Sequence, residues 1–384
     1  MSFEFATTDR LVFGNGSILR LGALIGGWGR KAFVVTGVQA RYSGLLRRQM
    51  ELAGVTGEWF AVSGEPTVEM AMAGVQFAKT TGCDLVIACG GGAVIDAGKA
   101  IAALMANPGH PLDYLEVVGR NQPLPNRPVP FAAIPTTAGT GAEVTRNAVL
   151  KSTEHRVKVS LRSPLMLPKL ALVDPELTYD LPPALTASTG LDALTQVLEP
   201  FVSIRANPLT DSFCREGLRR VGGALRRVYL DGTDRDARES MSFVSVLGGL
   251  ALANAGLGAV HGFAGPLGGM FPAPHGAVCA ALLAPVWDAN IKQLQHESPD
   301  HPILARYIEA SKLLTGSASA TIANGSQWLH ALTKELSVPP LSQWGIMADN
   351  VSEICEKASK TSSMKGNPVV LSQADLEFVL RMAI

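Results

Sequence analysis

The chain has 384 residues, 47% hydrophobic and 17% charged, with 33 Lys+Arg balanced by 33 Asp+Glu. That length exceeds what one hydrophobic core usually serves, so two domains are expected, and the zero net charge removes the field that would draw the protein to nucleic acid or a membrane surface. The five cysteines (83, 89, 214, 279 and 355) are odd in number and form no CxxC, which argues against a disulfide framework and against a Cys-based zinc site.

The start, MSFEFATTDRLVFG, lacks a basic stretch followed by an apolar one and does not read as a secretory signal. No apolar run approaches the ~20 residues of a membrane span, so a soluble, cytoplasmic protein is expected. KAFVVTG (31–37) reads as a strand ending in glycine, and YSGLLRRQMELAG (42–54) has helical spacing. CDLVIACGGG (83–92) is a strand running into glycines, followed by a helix in AVIDAGKAIAALMA. VPFAAIPTTAGTG (129–141) is another strand with a Thr/Gly-rich end, and LALVDPEL (170–177) closes the series. Strands alternating with helices indicate an α/β layer with a mostly parallel sheet. After LPPALTASTG (181–190) long helical patterns dominate and strand signals nearly vanish. The expected organisation is therefore an α/β domain over residues 1–180 and an all-helical domain over 181–384.

Four stretches could carry chemistry. In CGGGAVIDAGKA, three glycines between a buried strand and a helix let the backbone approach a phosphate at the helix N-terminus. It departs from the dinucleotide fingerprint, because Ile95 stands at the third glycine position. It departs from a P-loop as well, because Ala100 follows Lys99 where Ser or Thr is needed. A tight strand–helix turn with no ligand is the bland alternative. IPTTAGTGAEVT offers Thr136, Thr137, Thr140 and Thr145 around two glycines, suited to phosphate or sugar, or simply a Thr-rich turn. AVHGFAGPLGGMFPAPHG holds His261 and His275; each alone fits a hydrogen-bonded structural histidine, whereas the pair with a distant carboxylate fits a Zn or Fe site. GLDALTQVLEP sets Asp192 and Gln196 four apart, on one face of a helix.

Together with LVFGNGSI, GEPTVEMA (64–71), VDPELT, PHGAVCAALLAPV and SSMKGNPVVLSQADLEFVL, these motifs resemble the iron-containing (group III) alcohol dehydrogenase family over nearly the whole chain. The resemblance implies an N-terminal dinucleotide-binding α/β domain and a C-terminal helical metal and substrate domain, as in dehydroquinate synthase-like architectures, with the site in the cleft between them. It implies pyrophosphate contacts at Gly91, Gly92 and Ala93, with Asp96 nearby, and Thr136, Thr137, Thr140 and Thr145 on the adenine and ribose side. Lys158 matches a lysine that contacts the cofactor ribose. Ala93 and Ala142 stand where serine is common, removing hydroxyl contacts. Gly37 stands where the family often carries an Asp that favours NAD, so NADP, or use of both NADP and NAD, is expected, with Arg41 near in sequence.

The family's divalent metal, Fe or Zn, is usually held by an Asp and three His. Asp192, His261 and His275 match, and Gln196 stands at the remaining position. Gln196 could ligate through its carbonyl oxygen, water could take its place, or the metal could be lost. Gly265 replaces a histidine that relays a proton. The implied activity is metal-assisted hydride transfer between nicotinamide and a small alcohol or aldehyde, in a homodimer whose N-terminal segment FEFATTDRLVFG pairs across the interface. A metal-independent maleylacetate-reductase-like enzyme is an alternative within the enzyme class, and a catalytically silent nucleotide-binding protein is one outside it.

Overall fold

The computed structural model describes residues 2–384. The chain divides into two compact units, one of Phe5–Thr137 and Gly141–Thr178, the other mainly of Tyr179–Ile384 with Ala138–Thr140.

The first unit is built on a six-stranded sheet of β1 (Leu11–Phe13), β2 (Lys31–Gly37), β3 (Thr56–Val62), β4 (Leu85–Gly90), β5 (Phe131–Pro135) and β8 (Leu170–Val173). Its order is β1-β8-β5-β4-β2-β3, and every neighbouring pair is parallel. Parallel neighbours need long crossovers. These include α1 (Leu21–Ile25), α2 (Ser43–Leu52), α3 (Val68–Thr80), α4 (Gly92–Ala106) and the short α5 (Pro111–Tyr114). A strand covered on both faces needs a continuous apolar run, and LVIACG in β4 is buried throughout.

Strands β6 (Asn147–Ser152) and β7 (Val157–Arg162) form a separate antiparallel pair. Burial in β6 alternates residue by residue, as expected for a strand with one face on a core. Its Ala148 and Leu150 join Val68, Ala71 and Leu104 in a buried cluster. Neither this pair nor β3 is among the elements expected from sequence.

The second unit carries no strand among the described residues. It contains α6 (Pro183–Val202), α7 (Pro208–Leu230), α8 (Arg235–Ala255), α9 (Ala259–Met270), α10 (His275–Glu297), α11 (Pro302–Thr315), α12 (Ile322–Glu335), α13 (Val351–Ser359) and α14 (Gln373–Ala383). Helix α6 is buried from Gly190 to Val202 and packs against α7, α8 and α10. A helix apolar nearly all round must be central, and polar groups on it must find partners inside the unit. No single helix among the described residues is long and apolar enough to cross a membrane.

Candidate functional site

In the first unit, the glycine turn joins β4 to α4. Gly91 is the N-cap of α4 and supplies no capping side chain, so the first-turn N–H groups and the positive end of the helix dipole suit an anion. A Cβ on Gly90 would lie 2.6 Å from Val94, which makes glycine a packing requirement there. A Cβ on Gly91 would lie 3.4 Å from Thr137 Cγ2, and Thr136 N donates to Gly90 O at 3.0 Å. Gly91, Gly92, Ala93, Thr136 and Thr137 thus gather at the C-terminal ends of two adjacent strands, where open parallel sheets bind ligands. At the end of β2, a Cβ on Gly37 would meet nothing within 4 Å.

The remaining expected residues have structural partners. Asp96 Oδ2 accepts from Val149 N at 3.1 Å, fastening β6 to α4. Thr145 is 3% exposed, and its hydroxyl donates to Ala142 O at 3.1 Å. Thr140 lies in the short segment that groups with the helical unit. Lys158 pairs with Glu65 at 2.9 Å.

Lys99, which carries no functional expectation from sequence, organises the Thr-rich turn from inside. Its Nζ donates to Ala142 O (2.7 Å), Thr145 O (2.8 Å), Thr145 Oγ1 (2.9 Å) and Asn147 O (2.8 Å). Burial lowers the Lys99 pKa to about 8, although Asp96 and Glu143 pull it upward. Burial likewise pushes the Glu143 carboxyl up to about 7, only partly offset by its own backbone N–H and by Lys99.

The second unit holds a compact donor cluster on α6, α9 and α10. Asp192 Oδ1 lies 3.4 Å from His261 Nε2 and 3.6 Å from His275 Nε2. Cys279 Sγ lies 3.8 Å from His261 Nε2 and 3.7 Å from His275 Nε2. One ligand atom from each of Asp192, His261, His275 and Cys279 lies within 4.8 Å of all the others. The far nitrogen of His261, Nδ1, sits 2.7 Å from Glu199 Oε2. A carboxylate there fixes the tautomer and leaves Nε2 with its lone pair toward the cluster, the usual support for a metal-binding imidazole.

This donor set fits a divalent metal. Asp192 Oδ1 is buried without a hydrogen-bond partner, an expensive condition unless something charged completes it. Burial pushes Asp192 up, but His275 and His261 outweigh it and its pKa falls below the ordinary value. Cys279 behaves alike: burial raises the thiol, and His275 and His261 pull it below the ordinary value. His275 is pushed down by burial, yet Cys279 and Asp192 hold it at about 8. These shifts arise because a carboxyl, a thiol and two imidazoles face one another, and a dication bound among them would displace the protons they share.

Gln196 has its Nε2 donating to Gly139 O at 3.0 Å, and its Oε1 is buried without a hydrogen-bond partner. The sequence argues against a Cys-based zinc site, yet the structure places Cys279 Sγ among the potential ligand atoms. The absence of CxxC excludes only the paired-cysteine pattern, whereas His275 and Cys279 are spaced i, i+4 at the start of α10 and share one face. Glu199 is a second residue without an expectation, and the signal was again spacing: Asp192, Gln196 and Glu199 stand at i, i+4 and i+7 on α6.

Residues 8–175 match the family model described as iron-containing alcohol dehydrogenase. Residues 186–384 match the C-terminal model of the Fe-containing alcohol dehydrogenase family. The chain is 32% identical to a choline dehydrogenase of Bacillus subtilis over 99% of this chain and 94% of that protein. It is 31% identical to a 1,3-propanediol dehydrogenase of Klebsiella pneumoniae over 99% and 98% of the two chains. Its fold is similar to the crystal structure of a 1,3-propanediol oxidoreductase, with a TM-score of 0.93, 29% identity and full coverage, 100% of each chain.

Proposed function

This chain belongs to the iron-containing alcohol dehydrogenase family, and on that premise we propose how its residues divide the reaction. The activity is that of an oxidoreductase on CH–OH groups, moving a hydride between a nicotinamide cofactor and an alcohol or carbonyl carbon. In our reading the α/β domain binds the dinucleotide and the helical domain holds the metal and a small alcohol or aldehyde.

The cofactor pyrophosphate sits on Gly91, Gly92 and Ala93 at the start of α4, beside Thr136 and Thr137. Asp96, Thr145 and Lys158 support that pocket, the first two by holding its backbone. Support for NADP comes from Gly37: it carries no carboxylate to repel a 2′-phosphate, and its surroundings have room.

Asp192, His261 and His275 hold the divalent ion, Fe or Zn. The observation that carries this is the buried Asp192 Oδ1, without a hydrogen-bond partner and 3.4 and 3.6 Å from two imidazole Nε2 atoms. When bound, the ion supplies Lewis-acid stabilisation of negative charge on the substrate oxygen. Glu199 holds the His261 tautomer through Nδ1, and residue 265, being Gly, supplies no imidazole, so the substrate proton leaves through water. A homodimer, with the N-terminal segment at its interface, completes the proposal.

The test is NADPH and NADH oxidation with a panel of small aldehydes. Wild-type protein turns over with NADPH favoured, Gly37→Asp lowers the NADPH-to-NADH preference about tenfold or more, roughly 1.4 kcal/mol, and Asp192→Asn lowers kcat/KM at least about a hundredfold. Full activity in the Asp192→Asn variant would overturn the metal assignment.

A further inference from the structure

We propose that Cys279 is a protein ligand of the metal, so that this chain carries an Asp–His–His–Cys centre suited to zinc rather than an Asp and nitrogen set suited to iron. The proposal rests on the assignment of Asp192, His261 and His275 as ligands and adds the fourth donor and its consequence.

Geometry is the first support. A tetrahedral zinc with bonds of about 2.0–2.1 Å to N and O and about 2.3 Å to S sets N and O roughly 3.4 Å apart and N and S roughly 3.6 Å apart. The corresponding separations are 3.4 and 3.6 Å from Asp192 Oδ1 to the imidazoles, and 3.8 and 3.7 Å from Cys279 Sγ. The two remaining separations lie within 4.8 Å, so the four donors surround one position.

Local architecture is the second. His275 opens α10 and Cys279 follows one turn later, so a rigid helix presents imidazole and thiol together. Cys279 is fully buried, where a thiolate would be costly unless charge compensated it. The other cysteines of the helical unit, Cys214 and Cys355, are equally buried, yet among the described residues only Cys279 joins a group of potential ligands.

Gln196 supplies the third support, by what it is already doing. Its Nε2 is tied to Gly139 O, and its Cβ lies 3.0 Å from where a Cβ on Gly248 would sit, so the residue is packed against α8. Its carbonyl oxygen is a neutral, hard donor. A thiolate adds a full negative charge and softness, which shifts preference from iron toward zinc. The Gln196 carbonyl oxygen, buried without a hydrogen-bond partner, is then left to accept from a substrate hydroxyl or a water.

The test uses full-length protein reconstituted with cobalt(II) in place of the native ion, read by absorption. Thiolate ligation gives intense near-ultraviolet charge-transfer absorption that oxygen and nitrogen donors do not. The expected result is this absorption at near-stoichiometric cobalt in wild type and in Gln196→Leu, and its loss in Cys279→Ser. Zinc affinity should fall at least about tenfold in Cys279→Ser, while the unfolding midpoint of the cobalt-free variant checks its fold. Stoichiometric cobalt without the charge-transfer band in wild type would overturn the cysteine ligand and leave the three-residue site standing. No cobalt binding at all would overturn the site itself.

Discussion

Glu199 shows how one buried side chain can serve both folding and chemistry. It is 6% exposed, and its Oε1 accepts from Val260 N at 2.7 Å while Oε2 meets His261 Nδ1 at the same distance. The first contact places negative charge in the first turn of α9, where the helix dipole favours it. The second fixes the imidazole. Glu199→Gln keeps an oxygen for Val260 but removes the charge that makes the imidazole a stronger donor. Metal affinity, measured by competition with a chromophoric chelator, is expected to fall about 10- to 100-fold with a small change in unfolding midpoint. Unchanged affinity would reduce Glu199 to a helix cap. At this scale the sequence was partly legible. The stripe of Asp192, Gln196 and Glu199 follows from helical periodicity alone, and so does the pairing of His275 with Cys279. That Cys279 meets His261 depends on how α6, α9 and α10 converge, which no local pattern records.

Helix α4 is the element that joins sheet, turn and Thr-rich loop. Gly98 lets it approach the sheet: a Cβ there would lie 2.6 Å from Ala88 Cβ and 3.1 Å from Phe131 Cε2. Alanine is the better helix former by up to about 1 kcal/mol, but overpacking a tight contact costs about 1–3 kcal/mol. Gly98→Ala is therefore expected to lower the urea midpoint, and a raised midpoint would show that the backbone yields at little cost. The strand before this helix, like β2 and β5, was readable because a buried parallel strand is a continuous apolar run ending in glycine or threonine. The β6–β7 pair was not. Each strand is only six residues long, and the pair acquires meaning only through the cluster with Val68, Ala71 and Leu104. Lys99 is similar: its sequence context departs from a phosphate loop, and only the fold shows its ammonium spent on three backbone carbonyls and the Thr145 hydroxyl.

Across the whole molecule, the balanced charge conceals a buried pair that makes stability depend on pH. Glu143 has a folded pKa of about 7 against an ordinary 4.5. Between those values the folded state holds a proton that the unfolded state has lost, so this contribution is full below about pH 4.5 and is lost as pH rises through 7. Lys99, lowered from 10.5 to about 8, acts oppositely: above pH 8 the folded state releases a proton that the unfolded state keeps, and stability recovers. The pair produces a trough near neutral pH. Glu143→Gln should flatten the decline between pH 5 and 7, worth on the order of 2 kcal/mol, in urea unfolding at the two values. An identical slope in both proteins would remove Glu143 from the account. Function at this scale rests on the donor cluster in the helical unit, and the most direct measurement is metal content per chain after purification without chelator, for wild type and for Asp192→Asn. The account predicts near-stoichiometric iron or zinc in the wild type and little in the variant. A wild-type protein that is metal-free and takes up none when supplied would contradict it, and would leave Asp192, His261 and His275 as groups that orient substrate by hydrogen bonds alone.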